Sequence, residues 1–195
     1  MKVVGIVIDS AEYNDNDKII NLLTKDKVIP LLAKGIRKQN AKNRDACFEF
    51  SVLDAEYIVA NNRNILTNSQ FNRVYWKLFE TYDGLIFLNF YKEACRKVLL
   101  EEELPALYKT IEKVMTLFDG GLTKENILKG MFMLFTNALF ISGYDYKEYC
   151  ASNGTSIDYK EFIKSDVPTL IIELKKMNDF FNFFTNTKLN SIDML

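Results

Sequence analysis

Five cationic side chains, Lys34, Arg37, Lys38, Lys42 and Arg44, fall in the stretch AKGIRKQNAKNR, which contains no acid. The chain as a whole is nearly neutral, with 25 basic and 26 acidic residues. Flexible cations concentrated in one segment can displace the counterions of a phosphate backbone. If all five met a single strand, log K would fall against log salt with a slope of about −3.5, at roughly −0.7 per phosphate. A solubilising surface loop is the competing reading. Tyr13 lies in the polar segment EYNDNDK and is the ring best placed to meet an unpaired base. Phe48 and Phe50 alternate onto one face and read as core, and Trp76 falls off the main stripe of its helical segment.

Other chemistries close. There is no histidine, so Ser-His-Asp and Cys-His catalysis and histidine-ligated metals are excluded. Glu12, Asp15 and Asp17 cluster, but their spacing matches no calcium loop, and no metal is expected there. The glycine pair in FDGG follows a helical pattern rather than a strand, so it reads as a helix end and not as a phosphate cradle. No catalytic residue and no cofactor is expected. Cys47, Cys95 and Cys150 are odd in number and far apart, which is not a disulfide framework.

The elements that must position the cations come first in the chain. VVGIVI (3–8), KIINLLTK (18–25), VIPLLAKGIR (28–37), CFEFSVLDAEYIVA (47–60) and ILTN (65–68) read as five strands, with turns at Asp26 and at NNRN (61–64). Lys34 and Arg37 then end the third strand, and Lys38, Lys42 and Arg44 belong to the connection that follows. Phe48, Phe50 and Val52 alternate in one phase and Tyr57 and Val59 in the opposite one, which implies a bulge or a strand buried on each side in turn. Five short strands with two apolar faces to hide suit a small closed barrel.

From Ser69 onward the period becomes helical: Phe71, Val74, Tyr75, Leu78 and Tyr82 recur at three and four. Gly84 is expected to separate this helix from a second. A third starts at Pro105 and ends at Gly120-Gly121. A fourth, capped by Thr123, is apolar on most faces and so belongs at the centre of a bundle. Shorter helices follow Ser156. The expected fold class is α+β in two domains, a β-barrel over 1–70 and an all-α domain over 71–195. No membrane span or signal peptide is expected, and the chain reads as cytoplasmic.

The order GIVI…YNDNDKIINLLT…AKGIRK, with Gly5, Tyr13, Asp17, Lys18, Ile19, Leu22-Leu23-Thr24, Lys34-Gly35 and Arg37, resembles the start of the bacterial RecO family of recombination mediators. FEFSVLDAE, NILTNSQ, ELPALYKTIEKVMTLFDGG and FMLFTNALFISGYDYKEYCASNG continue it in order to about residue 154. The resemblance implies an OB-fold, then a helical domain. It implies a non-enzymatic role in DNA repair: binding single-stranded DNA and promoting annealing or recombinase loading. The implied partners are RecR and the acidic tail of single-stranded-DNA-binding protein, and the implied location is the bacterial nucleoid. DNA contact would fall on Lys34, Arg37, Lys38, Lys42, Arg44 and Tyr13. Arg96 and Lys97 are candidates for the tail, or ordinary solvated helix residues. The family's four-cysteine zinc site opens C-x-x-C-G; here the run is Cys150-Ala151-Ser152-Asn153-Gly154, so no zinc is expected. A protein–protein adaptor with little DNA affinity is the alternative, and a carboxylate-dependent nuclease at Glu12–Asp17 a third reading.

Overall fold

The computed structural model describes residues 1–152 and 164–195; the side chains of residues 44 and 45 also lie outside the described set. The chain divides into two compact units, Met1–Trp76 and Lys77–Leu195.

The first unit is built from β1 (Lys2–Glu12), β2 (Lys18–Leu23), β3 (Val28–Ala33), β4 (Val52–Ala60) and β5 (Arg63–Arg73). They form a closed barrel in the order β1-β2-β3-β5-β4. All neighbours are antiparallel except β3 and β5, which meet in parallel at Leu32 and Ile65. Alternation drives the closure. Ile20 and Leu22 of β2, Ile29, Leu31 and Ala33 of β3, and Leu53, Ala55 and Tyr57 of β4 turn inward onto Val7 and Leu66. Each fully buried aliphatic side chain contributes about 1.5–3 kcal/mol, and closing the barrel removes the unpaired edges that an open sheet would expose.

Three strand expectations are corrected. β3 stops at Ala33, so Lys34 to Arg37 form a turn rather than a strand end. The expected long fourth strand begins only at Val52: residues Arg44–Cys47 make a 3-10 turn, and Phe50 takes φ 55°. The change of phase read in 47–60 is this break, with Leu53, Ala55 and Tyr57 keeping one phase within the strand. Pairing does slip at Val52/Leu53 and Glu56/Tyr57, as bulges do. β5 continues to Arg73, past the helix start expected at Ser69, because it must span the whole length of β4. Phe71 therefore packs on Phe48 and Trp76 at the barrel, with ring centroids 5.9 and 6.1 Å away.

The second unit contains α1 (Lys77–Glu80), α2 (Tyr82–Glu93), a π-helical turn (Ala94–Val98), α3 (Leu104–Asp119), α4 (Lys124–Ile141), α5 (Tyr146–Ser152), α6 (Val167–Thr185) and α7 (Asn190–Asp193). The expected apolar fourth helix is α4, and it is central: it packs against α2, α3 and α6. Its Phe135 meets Phe90 of α2 and Phe181 of α6 at 5.8 and 6.1 Å. Thr123 caps it, accepting from the Asn126 N–H at 3.1 Å. Gly84 does not separate helices. It lies in the first turn of α2, where Thr81 caps it, and a Cβ there would sit 2.5 Å from the Leu78 carbonyl oxygen. No single helix among the described residues is long and apolar enough to cross a membrane.

Candidate nucleic-acid interface

The β1–β2 loop and the turn after β3 are tied together through Asp17. Its Oδ1 accepts the Gly35 N–H at 2.7 Å, and the Arg37 N–H donates to the Asn16 carbonyl at 3.1 Å. Gly35 takes φ 63°, a left-handed conformation that glycine adopts without a Cβ penalty. The Gly35 N–H first, then the Asn14 amide and the charges of Lys34 and Lys38, hold the Asp17 carboxyl below its ordinary value against the opposing effect of burial. An ionised Asp17 thus fixes the turn that carries Lys34, Arg37 and Lys38, all of them exposed.

Arg37 also pairs with Glu12 at 3.1 Å, both side chains well exposed. A surface pair of this kind contributes only about 0–1 kcal/mol, so a phosphate can replace Glu12 as the partner of Arg37. The acidic loop is occupied with structural work: Glu12 faces Arg37, and Asp17 holds Gly35 and Asn14. Among the described residues no three His, Cys, Asp or Glu side chains are grouped to hold a metal ion.

The barrel splits the cationic run. Lys42 does not join the turn. It lines a cleft of about 350 Å³ with Asn43, Ser69, Gln70 and Phe71, on the β4–β5 side. There it is a minor contributor, behind Lys2, to holding the Glu56 carboxyl low. Asn43 anchors this part of the connection, accepting from Ser69 Oγ at 3.2 Å and donating to the Thr67 carbonyl at 3.4 Å. Arg44 opens the 3-10 turn, and its side chain lies outside the described residues.

In place of Lys42, the fold brings a residue that sequence reading passed over. Asn61 and Asn62 form the two-residue β4–β5 turn with φ 52° and 57°, as an Asn pair accommodates. The turn delivers Arg63 to Tyr13: Arg63 Nη1 donates to Tyr13 Oη, and its guanidinium carbon lies 5.0 Å from the ring centroid. Tyr13, Ile19, Pro30, Leu32, Asn62, Arg63 and Asn64 line a cleft of about 290 Å³. It opens at the β3–β5 seam, where Pro30 has no N–H to give and its carbonyl accepts from Asn64 Nδ2 at 3.2 Å. NNRN had read only as a turn; the available signal was a cation directly after a hairpin turn that faces the β1–β2 loop across a closed barrel.

In the helical unit, Thr110, Lys113, Met133, Thr136, Asn137, Phe140, Asp145, Tyr146 and Lys147 line a second cleft of about 380 Å³. Phe140 is exposed there, and Lys113 and Lys147 stand at its edge. Lys97 is not part of it. Its ammonium donates to Glu93 Oε1 at 2.6 Å and to the Lys188 carbonyl at 3.1 Å.

The residues present do not fit a zinc site. Cys47 belongs to the barrel unit, Cys95 to the π-helical turn and Cys150 to α5, so no two thiols share an element. Cys150 is buried beside Tyr146, whose hydroxyl donates to Glu173 Oε1 at 2.8 Å. Asn153, expected in place of a second zinc-ligating cysteine, lies outside the described residues.

A closed five-stranded barrel of this order, with strands 2–3 and the 1–2 and 4–5 loops gathered on one side, defines an OB-type barrel, a class that binds oligonucleotides and oligosaccharides on that side. Residues 1–74 match the family described as "Recombination protein O N terminal". The chain is also similar to a protein of Mesoplasma florum named "DNA repair protein RecO", with 28% identity over 108 residues, covering 53% of this chain and 39% of the relative. The matched stretch thus spans about two fifths of that relative's length.

Proposed function

We propose that the protein acts in DNA repair and recombination without catalysing a reaction. It binds single-stranded DNA on the barrel and promotes annealing or recombinase loading together with RecR and single-stranded-DNA-binding protein. One observation carries this reading: Lys34, Arg37 and Lys38 project from a turn locked to the β1–β2 loop by the Gly35–Asp17 hydrogen bond, on the side where OB-type barrels take oligonucleotides. The family match over residues 1–74 supports the same role. Lys42 contributes to non-specific attraction from the β4–β5 side, and Arg44 adds its charge to the same run of sequence. The cleft around Phe140, with Met133 and Tyr146 in its lining and two cations, Lys113 and Lys147, against one acid, Asp145, suits the acidic, aromatic-ended tail of a partner.

Retention of a labelled oligonucleotide, titrated against salt, tests the reading. With three turn cations engaged, the slope of log K against log salt is about −2. Lys34→Glu, Arg37→Glu and Lys38→Glu combined abolish retention at moderate salt. Undiminished retention refutes the site. Absence of affinity even at low salt selects an adaptor that works through protein contacts alone.

A further inference from the structure

We infer that the Tyr13–Arg63 stack and the cleft beside it form a seat for one unpaired nucleobase, so that the barrel holds a single strand by a base as well as by its phosphates. This rests on the reading of the barrel as a single-strand binder and adds the group that is recognised. The cleft is apolar where a base would enter: half-buried Ile19 and exposed Pro30 take outward positions of β2 and β3, and the buried Leu32 lies between them at its floor. Outward apolar side chains gathered at one place are not needed to fill the barrel, whose interior is already taken by Ile20, Leu22, Ile29 and Leu31.

The rim matches the rest of a nucleotide. Arg63 lies over the Tyr13 ring at 5.0 Å from its centroid, extending the aromatic surface with a planar cation. Both aromatic rings and guanidinium planes accept a stacked base, whatever its identity. Asn62 places an amide at the same cleft, able to donate and accept along a base edge, and Asn64, whose Nδ2 donates to the Pro30 carbonyl, presents its amide oxygen as an acceptor. Phosphates flanking a seated base have cations at hand, because Tyr13 belongs to the loop that anchors the Lys34–Lys38 turn: its N–H donates to the Asp17 carbonyl at 3.1 Å. Tyr13 as a whole residue is 37% exposed, which leaves surface to cover.

The test compares two labelled strands of equal length and charge, oligothymidine and a wholly abasic strand, by fluorescence anisotropy with the full chain at low salt. The native protein prefers oligothymidine by about 5- to 150-fold, the contribution of one stacked base. Tyr13→Ala loses that preference while its affinity for the abasic strand stays unchanged. Arg63→Lys keeps the charge but not the plane; it lowers the preference and preserves the salt slope. Tyr13→Phe retains most of the preference. Circular dichroism confirms that each variant is folded, and Arg63→Lys carries the test if Tyr13→Ala is not. Equal affinity for both strands, or a preference that survives both substitutions, overturns the base seat and leaves phosphate binding by the turn intact. Failure to retain either strand overturns this inference and the function together.

Discussion

Glu12 governs how much of Arg37 is available to a phosphate. The pair is exposed on both sides and sits at 3.1 Å, so breaking it costs little. Glu12→Gln removes a carboxylate from the ridge and releases the guanidinium. The expected result is tighter single-strand binding, by a few-fold at low salt, with the slope kept near about −2, because Arg37 is already one of the three contacts and only its competing partner is removed. Anisotropy titrations at several salt concentrations check it; an unchanged affinity would mean that Glu12 does not compete with the strand for Arg37. Asp17 acts in the opposite sense. It is also an anion, yet it holds the Gly35 N–H, so its removal frees the turn as well as the field.

Among the elements, the short helix α7 is held by one carboxylate. Glu93 accepts the Asn190 and Ser191 N–H groups at 3.1 and 2.9 Å, the Ser191 hydroxyl at 2.6 Å and the Lys97 ammonium at 2.6 Å. Burial opposes its ionisation, but Lys97, Ser191 and Asn190 outweigh it and hold the carboxyl below its ordinary value. A depressed carboxylate contributes stability that is present above its unfolded value, near 4.5, and is lost as pH falls through the lower folded value. Glu93→Gln is therefore expected to destabilise the helical unit by about 1–3 kcal/mol at neutral pH. The loss shrinks on acidification below about pH 4, because the native carboxylate protonates too. Urea melts at pH 7 and pH 3.5 would show a gap that narrows; a constant gap would rule out the ionised form as the cause.

Helix α2 depends on the absence of a side chain at Gly84. A Cβ there would meet the Leu78 carbonyl oxygen at 2.5 Å and its Cα at 2.6 Å, both backbone atoms that cannot rotate away. Gly84→Ala is expected to cost about 1–3 kcal/mol by overpacking, although alanine is the better helix former. A thermal melt equal to or above that of the native protein would show that α1 shifts freely.

For the molecule as a whole, the two proposed contacts lie in separate units, Met1–Trp76 and Lys77–Leu195. Substitutions should then separate by function. Charge reversal at Lys34 and Lys38 weakens DNA retention and leaves binding of an acidic, phenylalanine-ended peptide unchanged. Lys113→Glu with Phe140→Ala does the reverse, at tenfold or more in peptide affinity, as loss of a central anchor costs about 2 kcal/mol or more. Peptide binding by fluorescence polarisation and DNA retention on the same variants decide it; joint loss from either set would mean that one site serves both ligands.

Strand alternation, helical period and caps were legible in the chain because they depend on neighbours a few residues apart. The inward faces of β2 and β3, the Thr123 cap and the central place of the apolar helix α4 all follow from such local patterns. So did the concentration of charge between Lys34 and Arg44, and a resemblance spread thinly but in order along the barrel. The partition of that charge did not follow. Closing the barrel carries Lys42 to the β4–β5 side, keeps Lys34 to Lys38 beside the β1–β2 loop, and sets Arg63 against Tyr13 across fifty positions of sequence. Phe50 and Phe71 were placed by the same closure, one in a left-handed break and one on a strand extended to match its partner. Composition and periodicity report which residues are near in sequence; which cations share a surface is a property of the closed sheet, since electrostatic and stacking contacts act over a few ångströms of space.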